Sequence, residues 1–383
     1  MEMEEETAKI KEKQIRNVHR MVQAVVKECQ PEKVICSPDA AAWSEITPVT
    51  SNGGETKRLM VILTAKGCTW AKTGGPCTMC NYWIKRHNAV TAEDLVSQFT
   101  SEIAKYNLSK EGITYICIFC SGSFLSDAEV PEEARITIMR KIAQLSSIEK
   151  VMIEARAEHV EKNKVMQLKK VLGEKILEVG VGLESADDFI RQVCINKGLP
   201  RKTFERALRI LKECRSQLLA YVLIKPPFLT EKEAIEDAVN TARYVFEVAE
   251  KVRIRTVVDF EAIHVKAPSL VYQLYKKDMF RCAWLWSILD IVTKVSGLGR
   301  VQVLLSPEGY AWHQLPRNCR KCTPQIIEKI SQYNVHQDVN EFQRLDCDCK
   351  NQWLKELDKK MEPLPERVEI MLKKVQGEIH DRR

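Results

Sequence analysis

No run of apolar residues in this 383-residue chain is long enough to span a bilayer, so the sequence offers no membrane-spanning helix. The opening residues, Met1-Glu2-Met3-Glu4-Glu5-Glu6, are acidic and no apolar segment follows them. They do not read as a secretory signal, and a cytoplasmic protein without a membrane partner is expected. Internal repeats and low-complexity stretches are also missing. So is charge of one sign: 59 Lys and Arg stand against 52 Asp and Glu, and the excess of +7 is spread along the chain. That balance is compatible with a nucleic-acid partner without requiring one. The length allows one large domain with a substantial core and a small appendage.

Cysteine is what the chain does have, fourteen of them. With no sign of export, clustered cysteines read as metal ligands and scattered ones as small core residues. Cys29, Cys36, Cys117, Cys120, Cys194, Cys214 and Cys282 lie in apolar or helical surroundings and are expected to pack. The other seven fall into two tight groups.

Periodicity places those groups. Apolar positions from Ile10 through Ile15, Val18 and Val22 to Val26 predict a helix over 7–29 that lies across the main domain. Arg58–Thr64 reads as a buried strand, followed by a cysteine-rich loop over 65–90 and a helix near 91–106 capped by Thr91. Strands then alternate with helices: strands at Thr114–Phe119, Val151–Glu154, Ile176–Leu183, Leu218–Ile224 and within Ile254–Val265. The helices between them start at Pro131, near 158, near 186 and 201, and near 231. About six such units predict a parallel sheet curved into a partial or full α/β barrel. Beyond 280 come a Trp-rich helix (Trp284, Trp286), a strand near 300–305, a polar segment with the second cysteine group, and a charged helical end from Lys355.

Barrels place their chemistry on loops after the strands. Cys68, Cys77 and Cys80 follow the first strand, Gly122-Ser123 follows the second, Glu154 ends the third and Glu184 ends the fourth. Three thiolates on one loop, around Thr73-Gly74-Gly75-Pro76, suit a [4Fe-4S] cluster that leaves one iron open. An open iron can chelate S-adenosylmethionine (SAM), whose reductive cleavage gives a 5′-deoxyadenosyl radical. The rival is a zinc site completed by a distant residue such as His87. Around the same rim, Gly122 and Ser123 lie in a small-residue turn, Cys120 to Phe124, that lets backbone approach a ligand's amino group. Glu154 and Arg156 suit the ribose and carboxylate of the cofactor, or a salt bridge. Glu184 needs a partner at the end of a buried strand, either ribose hydroxyls or an internal arginine. Met79 suits packing on adenine or in the core, and the rigid Lys225-Pro226-Pro227-Phe228 run suits the substrate side.

Cys319 and Cys322, then Cys347 and Cys349, form C-x2-C and C-x-C pairs with 24 residues between. Four thiolates so arranged fit a tetrahedral structural Zn2+, with an auxiliary iron–sulfur cluster as the alternative. Arg317, Arg320, Lys321 and Lys350 flank them and suit nucleic-acid phosphates, although basic residues beside a zinc site are also common without RNA.

The runs Lys66-Gly67-Cys68-Thr69-Trp70 and Gly74-Gly75-Pro76-Cys77-Thr78-Met79-Cys80-Asn81-Tyr82 resemble the radical SAM subunit of archaeosine synthase. Ser121–Phe124, Glu154–Glu158, Gly182–Ser185, Asn196-Lys197-Gly198 and Trp284–Ser287 match as well, and a looser similarity extends to the elongator-like radical SAM enzymes that modify tRNA. The resemblance covers about residues 55–350; its one departure is an eight-residue gap between the first two cysteines where three is commonest. It implies an α/β fold: a partial (β/α)6-type radical SAM barrel at 55–305, an N-terminal helical segment at 1–54 and a C-terminal cysteine-rich, helical, metal-binding extension at 306–383. It also implies the chemistry. A partner subunit attaches lysine to a 7-cyano-7-deazaguanine base in the D-loop of tRNA. The radical enzyme, supplied by an electron donor, then acts as a lyase that breaks a carbon–nitrogen bond to leave archaeosine. Two other readings are a radical SAM enzyme acting on another tRNA base or a small molecule, and a non-catalytic zinc-dependent RNA-binding protein.

Overall fold

A single eight-stranded sheet carries the fold in the computed structural model, which describes residues 2–29, 43–51, 54–84, 86–120, 122–305 and 310–381. The strands are β1 (Trp43–Ser51), β2 (Gly54–Leu63), β3 (Ile113–Cys120), β4 (Lys150–Ala155), β5 (Ile176–Glu184), β6 (Gln217–Ile224), β7 (Thr256–Ala262) and β8 (Arg300–Leu304). They lie side by side in chain order, and every pair from β2 to β8 is parallel. The connecting helices cover the outer face, as parallel strands require.

The helices that pack there follow from local signals. Thr91 caps α3 (Ala92–Ile103) through a capping box with Asp94, and α4 (Glu132–Ala143) follows Pro131. The helix expected from 158 begins at Lys162 as α5 (Lys162–Leu172), because Ala157–His159 forms a separate 3-10 turn. A short π-helical turn at Ile190–Cys194 precedes α6 (Arg201–Glu213). Thr230 and Glu233 close a second capping box on α7 (Glu231–Val252), and α9 (Leu285–Val295) lies beside it. Leu59, Val61, Ile116, Ile118, Val151, Ile153, Val179 and Val181 turn outward into this layer and are buried with it. Of the cysteines expected to pack, Cys117, Cys120, Cys194, Cys214 and Cys282 are buried and Cys29 is half-buried; Cys36 lies outside the described residues.

The alternate positions of each strand face inward, where polar side chains such as Arg58, Lys150, Glu154 and Glu178 surround a small apolar cluster of Met60, Cys117 and Met152. The sheet curls far enough for inward groups to meet across it: the Tyr115 hydroxyl of β3 donates to Glu178 of β5 at 2.5 Å, passing β4. The expected partial barrel is present, with eight strands rather than six.

Two differences concern its edges. Residues 43–51, expected within a helical N-terminal segment, form β1, which pairs antiparallel with β2 over its whole length. Its apolar residues fall at Trp43, Ile46 and Val49 with Pro48 among them, so strict alternation is missing and the strand signal is weak. The gap between β8 and β1 is covered by α10 (Thr323–His336), which packs on both. Asn334 brackets the Val303 backbone at 2.9 and 2.8 Å, and Thr50 donates to the Val335 carbonyl at 2.7 Å. The C-terminal extension is therefore the piece that shuts the barrel's side.

The expected N-terminal helix is α1 (Glu2–Glu28). It buries Val18, Val22, Val25 and Val26 against the 190–194 turn and α12 (Leu364–Asp381), while Ile15 is exposed. Arg367 of α12 reaches back to Glu233 at 2.7 and 2.8 Å and to the Phe228 carbonyl, tying the chain's end to the start of α7. Among the described residues no helix is long and apolar enough to cross a membrane.

Candidate active site and metal centre

The three cysteines sit on the loop after β2, at the end of the barrel where the parallel strands finish. Cys68 precedes a one-turn helix, α2 (Thr69–Thr73), which takes up most of the long gap before Cys77. That explains how an eight-residue spacing serves where three is commonest.

The loop is held from two sides. On one, Glu129 accepts from the Thr69 N–H at 2.8 Å and its hydroxyl at 2.6 Å, and its other oxygen accepts from the Ser123 N–H. Gly122 lies under this contact, where a Cβ would meet the Cys68 Cα at 3.0 Å. On the other side, Asn196 donates its amide to the carbonyls of Gly74, Gly75 and Pro76 at 3.0–3.3 Å. His19 of α1 lies 3.2 Å from the Asn196 oxygen. The Trp70 indole donates to the Asn196 carbonyl at 2.8 Å, and its ring occupies the space that a Cβ on Gly198 would need. Thr78, fully buried, bonds the Cys194 and Ile195 carbonyls.

The thiols are close enough to affect one another. Burial first, then Cys77 and Cys68, pushes Cys80 up to about 12; burial also raises Cys68 and Cys77. Metal or cluster ligation would displace these protons. A mononuclear zinc site would hold four ligand atoms within about 4 Å of one another, from metal–ligand bonds of about 2.0–2.3 Å. Among the described residues only the C-terminal cysteines form such a set, and His87 does not join the three rim cysteines in one. Three thiols without a protein-derived fourth fit a cluster with an open iron.

Around them the expected cofactor residues converge. Ser123 accepts from the Arg156 N–H at 3.2 Å, and Ser121 lies outside the described residues. Arg156 pairs with Glu158 at 2.5 Å and donates to the Lys197 carbonyl at 2.8 Å, so it does not pair with Glu154. Its guanidinium stands 5.4 Å from the Trp70 ring centre. Glu184 has φ +68° and pairs with Lys197 at 2.7 Å, so its internal partner is a lysine and not the expected arginine. Met79 is partly buried against the cluster of apolar residues that holds α1. Lys225 bonds Glu231 at 2.5 Å and is turned into the structure.

Glu154 faces the lumen. Burial pushes its carboxyl up to about 7, although the Tyr221 hydroxyl bonds it. Glu261, at the end of β7, faces the same space with no side-chain partner among the described residues; burial and then Asp259, Glu154 and Glu184 raise it well above the carboxylate range. At the mouth, Lys266 stands 4.8 Å over the Tyr82 ring and 4.7 Å over Tyr310, and Tyr310 lies 4.6 Å from His264. Burial, then Lys266, lowers His264 to about 4, leaving it neutral.

Asn196, Lys197, Glu129, Tyr221 and Glu261 carry much of this site, and no role follows for them from sequence alone. The one available signal was strand alternation, which puts Glu261 in phase with Asp259 on an inward face.

The second group closes as expected. Cys319, Cys322, Cys347 and Cys349 bring their sulfurs within 4.8 Å of one another, with three pairs at 3.6 Å. A tetrahedral zinc with Zn–S of about 2.3 Å sets sulfurs about 3.8 Å apart. Cys322 immediately precedes α10 and Cys349 immediately precedes α11 (Lys350–Leu357), so each cysteine pair is fixed where a helix begins. Despite burial, the backbone N–H groups of Cys322 and Lys321 and the neighbouring thiols hold Cys319 at about 7. Trp286 of α9 donates to the Cys349 sulfur at 3.4 Å.

Comparison with known proteins agrees with this geometry. The model of the radical SAM superfamily matches residues 62–241, from the end of β2 into α7. Archaeosine synthase subunit beta of Methanosarcina acetivorans is 32% identical over 340 residues, 88% of this chain and 95% of that one. The protein of the same name from Thermococcus kodakarensis is 27% identical over 300 residues, 77% and 90% of the two chains. The solved structure of Methanocaldococcus infernus Elp3, lacking residues 1–46 at its N-terminus, aligns with a TM-score of 0.47 at 12% identity over 63% of this chain and 60% of that one. The chain belongs to the radical SAM superfamily and, within it, to the archaeosine synthase subunit beta family.

Proposed function

We propose that this protein is the radical SAM lyase of archaeosine formation, breaking the carbon–nitrogen bond of a lysine-modified 7-deazaguanine in the D-loop of tRNA. The observation that carries the reading is the three-cysteine loop, held by Glu129 and Asn196 where the parallel strands finish, in a chain alike over 88% of its length to a protein named for that synthesis. With a [4Fe-4S] cluster on Cys68, Cys77 and Cys80 and SAM on its open iron, reductive cleavage of the sulfonium supplies the radical.

The chain's own residues then position. Arg156 and Lys197 put positive charge beside the cluster, suited to the carboxylate of SAM. Gly122, Ser123 and Met79 are the further cofactor-binding residues of this reading, and the second oxygen of Glu184 suits a ribose hydroxyl. Glu154 and Glu261 offer carboxylates to an ammonium group of the substrate. Tyr82, Tyr310 and Lys266 offer ring faces and a cation to a base entering the mouth.

The C-terminal cysteines hold zinc in this reading, because sulfurs 3.6 Å apart match one tetrahedral ion. Arg320 and Lys321, exposed beside it, would meet tRNA phosphates. The reaction takes place in the cytoplasm, with a lysine-attaching partner subunit and an electron donor.

The test is anaerobic turnover of tRNA carrying the lysine-modified base, with the reconstituted protein, SAM and a reductant. Archaeosine and 5′-deoxyadenosine appearing together support the reading. Turnover of SAM without archaeosine, on tRNA shown to carry the adduct, would reject this substrate. A protein that takes up no iron would reject the radical chemistry itself.

A further inference from the structure

The opposite end of the barrel holds a second charged cavity, of about 40 Å³, where the strands begin. Four cations line it: Arg58 of β2, Lys150 of β4, Arg255 just before β7 and Arg300 of β8. The one carboxylate in its wall is Glu178, and that is already taken twice. It accepts from Lys150 at 2.7 Å and from the Tyr115 hydroxyl at 2.5 Å.

The other three cations lack carboxylate partners in hydrogen-bond contact. Arg58 is 7% exposed, and its single side-chain hydrogen bond runs from Nε to the Thr47 hydroxyl at 3.2 Å. Its terminal nitrogens have no partner among the described residues. Arg300 donates only to the backbone carbonyls of Thr50 and Asn334, at 3.4 and 3.2 Å. The Arg255 side chain is exposed and has no bond among the described residues. Asp259 lies further in, with one oxygen on Gln302 at 2.6 Å. Even with Asp259 set against Arg58, Arg255 and Arg300 have no carboxylate in hydrogen-bond contact among the described residues; burial lowers the Arg300 pKa, and Arg255 adds to that fall against the opposing effects of Tyr333 and Glu178.

Cations gathered in a partly closed cavity repel one another and lose hydration, so an anion there would be favoured. Next to the cavity, sharing Gln217 and Arg255 with it, an open basin presents Lys212, Arg215 and Arg253. Its Glu213 is occupied by Lys162 at 2.8 Å. The positive field thus widens outward and would draw anions in.

We propose that this N-terminal mouth of the barrel binds a phosphate-class oxyanion between Arg58, Arg255 and Arg300. The cavity admits a few water-sized volumes, which suits a tetrahedral oxyanion and not a larger metabolite. Arginine forks provide its planar pairs of donors. The site is separate from the cysteine rim and does not depend on the reaction assigned there. Its phosphate has two possible sources, the free ion or a phosphodiester of bound RNA.

The experiment compares thermal unfolding of the reconstituted full chain in sodium phosphate and in sodium chloride of equal ionic strength, and of the Arg255→Gln variant. Arg255 makes no side-chain bond among the described residues and is exposed, so its replacement is expected to leave the structure intact. Phosphate is expected to raise the midpoint of wild type by about 2–4 °C over chloride, with the gain lost in the variant. In a second arm, tRNA transcript binding is measured against salt for both proteins. A salt slope reduced by about one in the variant, without a free-phosphate effect, assigns the site to an RNA phosphodiester. Equal midpoints in the two salts, together with equal tRNA binding by both proteins, would overturn the proposal.

Discussion

The indole N–H of Trp70 donates to the carbonyl of Asn196 at 2.8 Å, joining the helix after the first cysteine to the loop that follows the π-helical turn. These residues lie 126 positions apart. The same stretch supplies the Asn196 amide to the cysteine loop, the Lys197 cation to Glu184, and at Gly198 the space for the Trp70 ring. One short segment, Asn196-Lys197-Gly198, therefore sets both the ligand loop and the charge beside it.

Gly198→Ala is expected to displace Trp70 and loosen the loop, since φ is +62° there and a Cβ would overlap the ring. Iron per chain after anaerobic reconstitution should fall, while zinc at the C-terminal group stays the same. Full iron loading in this variant would show that the loop does not need the Trp70 anchor.

Lys197→Met leaves Glu184 without its cation in a buried setting. A cost of about 3–5 kcal/mol is expected from removing one partner of such a pair. Adding Glu184→Gln should recover part of it. Urea unfolding of the two single variants and the double variant measures the coupling; purely additive effects would contradict the pairing.

Asp237 gives a pH dependence with a definite sign. Burial raises its carboxyl to about 7, although Ser185 and Thr241 bond it, and its second oxygen has no partner among the described residues. Between about pH 4 and pH 7 the folded protein keeps this proton and the unfolded chain releases it. Its contribution to stability is therefore greatest below pH 4 and declines as pH rises toward 7. Asp237→Asn should flatten the decline in unfolding midpoint between pH 5 and pH 8. An unchanged profile would mean that the group is ionised in the fold.

Replacing Cys319 and Cys322 with Ser is expected to remove one zinc and leave the iron count alone. Because α10 starts at Cys322 and covers the gap between β8 and β1, the variant should also unfold several degrees lower and exchange amide hydrogens faster at β1 and β8. Loss of about four irons instead would make the group a cluster site.

Glu261→Gln should weaken use of the modified tRNA, raising KM, while 5′-deoxyadenosine formation without tRNA continues. A loss of both activities would place Glu261 with the cofactor rather than the substrate.

Local chemistry determined much of this protein. Apolar runs bounded by turns marked the parallel strands from β2 to β8, and Thr91 marked a helix start. Two cysteine spacings marked both cysteine groups. Each of these signals lies within a few residues of chain, where backbone geometry and side-chain type act directly. The tertiary structure decided the rest. Glu184 meets Lys197 rather than an arginine, Asn196 braces the cysteine loop, β1 completes the sheet, and α10 shuts its side. Four cations gather beneath the barrel, three from different strands and one from just before β7. These pairings join residues tens to hundreds of positions apart, and they exist only because the sheet curls. A charged residue in a strand reveals by its phase that it faces inward, but its partner comes from another strand, and only packing brings the two together.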